Sequence, residues 1–97
     1  MKIYISGKIS GMEARVAVLF QEAETMLIEH GYEVVNPMKL PHKHDKSWAS
    51  YMKEDLRALI DCDGIFYLEN HAQSPGAALE RYVAQWLNID EIFLPPF

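Results

Sequence analysis

The chain has 97 residues, 49% of them hydrophobic and 24% charged, a composition that predicts one folded domain over residues 1–97 and excludes a disordered chain. Its net charge is −5 and it shows no basic stripe, so we expect no nucleic-acid polymer as a partner. The sequence has no signal-peptide pattern, no apolar run of bilayer length and a single cysteine, Cys62. These features predict a cytoplasmic protein with no internal disulfide and no membrane partner.

Short strand-like runs alternate with helical patterns along the chain. A first strand is predicted at Lys2–Ser6, followed by a loop at 7–11 and by a helix whose apolar stripe spans 16–27 and stops at Gly31. A second strand is predicted at 32–35 and a polar loop at 38–46. Ser47 is the predicted cap of a second helix with the apolar stripe Trp48, Met52, Leu56, Leu59 and Ile60. A third strand at 64–68, a third helix at 75–88 and a last strand at 91–94 follow.

This element order predicts an α/β fold. Strands joined through helices pair in parallel and bury both faces of the sheet. We therefore expect a Rossmann-like or flavodoxin-like three-layer sandwich with a four-stranded parallel sheet in the order 2-1-3-4. Ligands of such sheets bind beyond the carboxyl ends of the strands, where the strand order reverses. The loops after the first and third strands, residues 6–11 and 69–76, form the expected site.

The start of the third helix carries the strongest chemical signal. Ser74 is a predicted cap and Pro75 fits the first helical position, so the N–H groups that follow can bind an anion. Glu80 lies six residues after Ser74, on the face expected to point inward. A buried carboxylate is unfavourable unless something uses it. A nucleophile and a structural carboxylate paired with Arg81 or Lys53 are equally compatible with the spacing.

Two other elements supply candidate groups for the same crevice. Tyr51 and Asp55 are four residues apart and share one helix face, where an acid and a phenol can orient or protonate a bound group. A solvated aspartate on an exposed face is the competing interpretation. Tyr4 lies in the first strand and needs a hydrogen-bond partner if it is buried, which Glu80 can provide. The competing interpretation is an ordinary core aromatic.

The first loop is a weaker candidate for substrate binding. It follows Ser6 and contains Gly7, Lys8 and Ser10, with Arg15 shortly after, but it lacks the spacing of known phosphate loops. An ordinary turn is equally compatible. His42 and His44 form an isolated pair in a polar loop, so we expect no metal site. Cys62 lies between two acids, which favours a buried structural thiol over a reactive one.

Several segments in this order carry a family resemblance. They are Ile3-Tyr4-Ile5-Ser6-Gly7, the run 31–37, Trp48, the run 51–56, Cys62-Asp63-Gly64-Ile65 and Ser74-Pro75-Gly76-Ala77-Ala78-Leu79-Glu80. Together they cover nearly the whole chain, which resembles the compact branch of the nucleoside 2-deoxyribosyltransferase-like proteins. It is also similar to the 2′-deoxynucleoside 5′-monophosphate N-hydrolases.

The resemblance implies a role for several residues. A glutamate at the position of Glu80 attacks the anomeric carbon of a 2-deoxyribosyl group, a tyrosine placed like Tyr4 orients it, and an aspartate placed like Asp55 assists departure of the base. In the related hydrolases a serine placed like Ser74 contacts the 5′-phosphate. The resemblance also implies active sites shared between subunits of a homo-oligomer.

The predicted function is cleavage or transfer at the N-glycosidic bond of a 2′-deoxynucleoside or its 5′-monophosphate, with no cofactor. Its catalytic residues are Glu80, Asp55 and Tyr4; its substrate-binding residues are Ser6, Gly7, Lys8, Ser10, Arg15, Tyr51, Ser74 and Gly76. The rival hypotheses are a non-catalytic nucleotide-binding module and a small interaction protein with a structural Glu80. A homo-oligomer is expected because the large side chains supply more apolar surface than a thin four-stranded sheet can cover. These side chains are Trp48, Trp86, Phe93 and Phe97.

Overall fold

A computed structural model of the protein describes residues 1–9, 13–40 and 47–93. The elements are β1 at Lys2–Ser6, α1 at Glu13–Glu29, β2 at Glu33–Val35, α2 at Trp48–Ile60, β3 at Gly64–Tyr67, α3 at Pro75–Trp86 and β4 at Asp90–Glu91. Two short 3₁₀ helices, Pro37–Lys39 and Glu69–Gln73, occupy segments predicted as loops. Within the described ranges, no helix combines the length and apolar character needed to cross a membrane.

The four strands form one parallel sheet in the order β2-β1-β3-β4, which confirms the predicted fold class and strand order. β1 lies in the interior of the sheet, with Tyr4 opposite Val35 on one side and Ile65 on the other. Because the strands are parallel, their carboxyl ends meet at one edge. The strand order reverses between β1 and β3, so this edge holds the expected crevice.

The two faces of the sheet bury different helices. Ile3 and Ile5 pack with Phe20 and Leu27 of α1 on one face. Tyr4 packs on the other face in a cluster that includes Leu59 of α2 and Ala84 of α3. Successive strand side chains point to opposite faces, so every second residue of β1 faces α2 and α3. This alternation determines which β1 side chains can reach a site formed by those two helices.

The second helix begins as predicted, with the Ser47 hydroxyl accepting a hydrogen bond from the backbone N–H of Ser50, but its buried stripe differs from the predicted one. Met52, Asp55 and Leu59 are the buried residues of α2. Trp48 and Ile60, which the apolar pattern placed in the stripe, are 59% and 53% exposed. The helix is therefore turned so that a carboxylate lies on the face that packs inward.

The end of the chain also differs from the prediction. α3 stops at Trp86 because Asn88 adopts a left-handed conformation, with φ of 56°. β4 comprises only Asp90–Glu91, although the N–H of Ile92 extends the pairing by donating to the carbonyl of Ile65 at 2.8 Å. Leu94, predicted to end this strand, lies outside the described residues.

Cys62 follows α2 and is buried against the sheet. Burial raises the pKa of its thiol to about 11, and the charges of Asp61 and Asp63 add to this rise while Lys2 opposes it. A thiol with a raised pKa stays protonated near neutral pH and is a poor nucleophile. The position therefore fits the structural role expected from the sequence.

Candidate active site

A cavity of about 470 Å³ opens at the carboxyl edge of the sheet. Its walls come from the ends of β1 and β2, from the first half of α2 and from the first two turns of α3. The lining residues are Tyr4, Gly7, Ile9, Pro37, Met38, Trp48, Tyr51, Met52, Asp55, Ser74, Pro75, Gly76, Ala77 and Glu80. Two carboxyl groups therefore face one small cavity.

Glu80 is held between two hydroxyl groups of β1. The Tyr4 hydroxyl donates a hydrogen bond to Oε2 of Glu80, and the Ser6 hydroxyl donates to Oε1 at 2.8 Å. Tyr4 and Ser6 are two residues apart on one strand, so both side chains face α3. Helix side chains lean toward the helix N-terminus, which directs the Glu80 carboxylate toward the strand ends. Glu80 is only 4% exposed.

Burial changes the protonation of this group. Burial raises the pKa of Glu80 to about 7; the hydrogen bonds from Tyr4 and Ser6 oppose this rise, and the charge of Asp55 adds to it. Burial and the charges of Glu80 and Asp55 raise the pKa of Tyr4 far above its ordinary value. Tyr4 therefore stays a neutral hydrogen-bond donor. Near neutral pH, Glu80 exchanges between an acid and a desolvated carboxylate.

Asp55 approaches from the other helix of the same layer. It is 5% exposed, which excludes the solvated aspartate considered from the sequence. Its charge acts on both Glu80 and Tyr4. The three residues come from α2, α3 and β1, so their convergence depends on the packing of both helices against the sheet. This is the juxtaposition that the sequence predicted from three separate elements.

The N-terminus of α3 forms another wall of the cavity. The Ser74 hydroxyl caps this helix by accepting a hydrogen bond from the N–H of Ala77 at 3.1 Å, which leaves its own proton to donate. A Cβ at Gly76 would lie 3.1 Å from Sδ of Met52. The glycine therefore lets α2 pack closely against the first turn of α3, beside the catalytic candidates.

The remaining wall is apolar, and of its residues only Tyr51 is among the predicted site residues. Pro37 and Met38 follow β2, and Asn36 caps their 3₁₀ helix by accepting a hydrogen bond from the N–H of Met38 at 3.0 Å. β2 ends at the same edge of the sheet as β1, and this was the signal available in the sequence. Trp48 and Tyr51 lie at the cavity rim, where their exposed rings offer planar apolar surface.

The predicted site residues separate into three groups. Tyr4, Gly7, Tyr51, Asp55, Ser74, Gly76 and Glu80 line the cavity. Ser6 is fully buried behind Glu80, Lys8 is half-buried and Arg15 is exposed, and none of these three contributes to the lining. Ser10 lies outside the described residues, as do His42 and His44, where no metal site is expected. The lining found in the described part of the chain contains no Lys, Arg or His.

In the described ranges, no three His, Cys, Asp or Glu side chains have an arrangement that could hold a metal ion. The described lining of the cavity supplies two carboxyl groups, two phenols and a helix N-terminus. A buried carboxylate with a raised pKa is suited to nucleophilic attack or proton transfer, and a second carboxyl group beside it can take the complementary role.

Among solved structures, the chain is similar to the 2-deoxyribosyltransferase from the psychrotolerant bacterium Bacillus psychrosaccharolyticus. The TM-score is 0.71 at 23% sequence identity, over 94% of this chain and 69% of that one. It is also similar to the CMP N-glycosidase of Clostridium botulinum, with a TM-score of 0.62 at 19% identity, over 94% of this chain and 66% of that one. At these identities the similarity establishes a shared fold.

Comparison at the level of sequence points to one family. No curated protein matches the chain. A family model described as a domain of unknown function, DUF4406, matches residues 1–93, which is nearly the whole length. The chain therefore belongs to the DUF4406 family, and it has the fold of the 2-deoxyribosyltransferase and the N-glycosidase described above.

Proposed function

We propose that the protein cleaves or transfers at the N-glycosidic bond of a 2′-deoxynucleoside or its 5′-monophosphate, with Glu80 as the nucleophile. One observation carries this proposal: a buried carboxylate, fixed by the Tyr4 hydroxyl, shares a small cavity with the carboxyl group of Asp55. The two proteins of similar fold are an enzyme that transfers 2-deoxyribosyl groups and one that cleaves the glycosidic bond of CMP. Both support this reaction class.

The first half of the proposed reaction forms a glycosyl-enzyme. The ionised carboxylate of Glu80 attacks C1′ of the sugar while the bond between C1′ and the base nitrogen breaks. In this reacting form Glu80 is ionised and Asp55 carries a proton. The bonding electrons leave with the base, and Asp55 donates its proton to the base. Tyr4 remains hydrogen-bonded to Glu80 and orients the attacking carboxylate.

The second half releases the sugar from Glu80. A water molecule or a second base attacks C1′, the ester bond to Glu80 breaks, and Asp55 accepts the proton of the attacking group. Two displacements at one carbon retain the configuration, as in glycosidases that use a carboxylate nucleophile. Water as the acceptor makes the protein a hydrolase, and a base makes it a transferase.

The apolar wall suits the base of such a substrate. Pro37, Met38 and Met52 offer a nonpolar surface, and Trp48 and Tyr51 at the rim can stack against a heterocycle. The carboxyl groups of Asp55 and Glu80 lie in the same cavity, where the sugar would then meet them. The arrangement assigns the base and the sugar to different parts of one small site.

The test is incubation of the purified protein with a panel of deoxynucleosides and deoxynucleoside monophosphates, with and without a second base, followed by chromatography for free or exchanged base. We expect release or exchange from at least one member of the panel by wild type and none by Glu80→Gln. Binding of a nucleotide with no change in any glycosidic bond would instead identify a non-catalytic binding module.

We also predict that a 5′-monophosphate binds more tightly than its nucleoside. The N-terminus of α3 faces the cavity, and the partial positive charge there favours an anion by up to about 2 kcal/mol. No cationic side chain appears in the described lining, so we expect the monophosphate to bind only about threefold to tenfold more tightly than the nucleoside. Calorimetry should show this preference in wild type and its loss in Ser74→Ala.

Ser47→Ala is the matched control for that experiment. Ser47 caps α2 through the same kind of hydrogen bond, at 3.1 Å to the N–H of Ser50, but it does not line the cavity. Both substitutions should reduce stability by about 1 kcal/mol, since each removes a helix cap. Two results would contradict a phosphate-binding site at Ser74. One is equal affinity of wild type for nucleoside and monophosphate, and the other is an equal effect of the two substitutions on the affinity for the monophosphate.

We further propose that the protein forms a homo-oligomer through the outer face of α3. Tyr82, Trp86 and Leu87 are 60%, 72% and 53% exposed on this face, and the Tyr82 and Trp86 rings pack edge to face. Exposed aromatic clusters of this kind are typical of interfaces. Light scattering should give a dimer or larger species for wild type and a smaller species for Trp86→Asp. A monomeric wild type at high concentration would contradict the proposal.

A further inference from the structure

We infer that Ser6 is a positioning residue that holds Oε1 of Glu80, rather than a group that contacts the substrate. The assignment rests on the proposed function for its catalytic meaning. Its structural basis is independent of that function, because the Ser6 hydroxyl is fully buried, lies outside the cavity lining and donates to Glu80 at 2.8 Å. It can reach a bound sugar only through Glu80.

The strand geometry explains why a serine can act from this position. Ser6 and Tyr4 face the same side of the sheet and are separated by roughly 6.6 Å along β1. The long ring of Tyr4 spans that distance, so a short side chain at the strand end and a long one before it reach the same carboxylate. The carbonyl of Ser6 also accepts a hydrogen bond from the N–H of Leu68 at 2.8 Å, which fixes its backbone to the end of β3.

The two donors together determine the orientation of the nucleophile. With Tyr4 on Oε2 and Ser6 on Oε1, the plane of the carboxylate is fixed, because rotation would break one of the bonds. Removal of the Ser6 hydroxyl leaves Glu80 with one anchor. Removal of this hydroxyl should therefore slow the chemical step more than it weakens substrate binding, as expected for a misoriented attacking group.

The same hydroxyl affects the charge of Glu80. The groups that interact with Glu80 from neighbouring elements are Tyr4 and Ser6 of β1, Asp55 of α2 and Tyr67 of β3. Of these, Tyr4 and Ser6 favour the ionised form by donating hydrogen bonds, and Asp55 opposes it by its charge. Ser6→Ala should therefore raise the pKa of Glu80, whereas Asp55→Asn should lower it.

The experiment compares Ser6→Ala, Ser6→Cys and wild type in two measurements. Carbon NMR of labelled glutamate carboxyl groups, with the Glu80 signal identified by its absence in Glu80→Gln, gives the pKa without any need for activity. We expect Ser6→Ala to raise this pKa by about one to two units, since a hydrogen bond to a charged group contributes on that scale. Ser6→Cys keeps a weak donor, so the pKa of Glu80 in this variant should lie between its values in Ser6→Ala and wild type.

Kinetics form the second measurement. We expect kcat of Ser6→Ala to fall about tenfold to a hundredfold with little change in substrate affinity. Thr25→Ala is the control. It removes a hydroxyl on α1, in the opposite layer, that donates a hydrogen bond to the Gln21 carbonyl at 3.0 Å. This substitution should change neither kcat nor substrate affinity. A raised pKa in a protein that releases no base would support the Ser6 assignment and reject the proposed function. An unchanged pKa and kcat with weakened substrate binding would overturn the assignment.

Discussion

Glu80→Gln is expected to abolish base release and to make the protein more stable at pH 8. Glutamine keeps the shape of the side chain but cannot form the glycosyl ester, so the activity should fall to background. The pKa of Glu80 is about 7 in the folded protein against an ordinary value of 4.5, mainly because of burial. The folded state therefore binds more protons than the unfolded state between these values, and stability falls as the pH rises through this window.

The size of this effect follows from the difference in pKa. Each unit corresponds to about 1.4 kcal/mol, so ionised Glu80 lowers stability at pH 8 by roughly 3 kcal/mol. Glu80→Gln removes that penalty. Denaturant unfolding at pH 5 and pH 8 should show that its stability relative to wild type is about 2 to 3 kcal/mol more favourable at the higher pH. A difference that does not change with pH would contradict a raised pKa at Glu80.

Glu24→Gln is the matched control. Oε2 of Glu24 accepts hydrogen bonds from Nζ of Lys39 at 2.6 Å and from Nε2 of Gln21 at 3.2 Å. Burial alone would raise the pKa of Glu24, but these hydrogen bonds hold it below the ordinary value. Glu24 is therefore ionised at both pH 5 and pH 8. Its substitution should change the stability by a similar amount at both values, unlike that of Glu80.

Asp55→Asn is expected to reduce base release by about a hundredfold to ten-thousandfold, the usual range for loss of a general acid. The loss should be much smaller for a deoxynucleoside whose purine carries a methyl group at N7. Such a base is already positively charged and leaves without accepting a proton. Chromatographic rates for the methylated and unmethylated substrates, in wild type and Asp55→Asn, measure this difference directly.

Asp61→Asn serves as the control, because Asp61 is an exposed acid just after the same helix and lies outside the cavity. It should leave both rates near those of wild type. If Asp55→Asn slows the two substrates equally, Asp55 acts in some way other than donating a proton to the base. The Glu80 nucleophile would then need a different acid.

The fold and part of the site could be predicted because they depend on local patterns. The Ser74-Pro75 start of α3 and the position of Glu80 two turns into the helix follow from capping and helical periodicity alone. Tyr4 follows from strand alternation. The same alternation places Ser6 beside Tyr4. The sequence predicts substrate binding for Ser6 because Ser6 precedes the first loop, whereas its hydrogen bond to Glu80 depends on the packing of α3 against β1.

Other features could not be predicted because they depend on tertiary packing. The spacing from Tyr51 and the family resemblance predict Asp55 in the site, but the helical pattern alone also allows a solvated aspartate and places Trp48 and Ile60 in the buried stripe. The structure exposes Trp48 and Ile60 and buries Asp55. Its burial depends on the cavity between α2 and α3, which no single helix reveals. Lys8 and Arg15 follow β1 closely in the sequence, yet chain proximity does not determine whether a side chain turns into the cavity.

The central claim is that Glu80 becomes covalently bonded to the sugar, and intact-protein mass spectrometry tests it most directly. A deoxynucleoside analogue with fluorine at C2′ slows breakdown of a glycosyl ester, because fluorine destabilises the positively charged transition state. We expect wild type to gain the mass of one fluorinated sugar, on the peptide that contains Glu80, and Glu80→Gln to gain none. Release of the base from wild type with no adduct, or an adduct at another residue, would contradict the proposed mechanism.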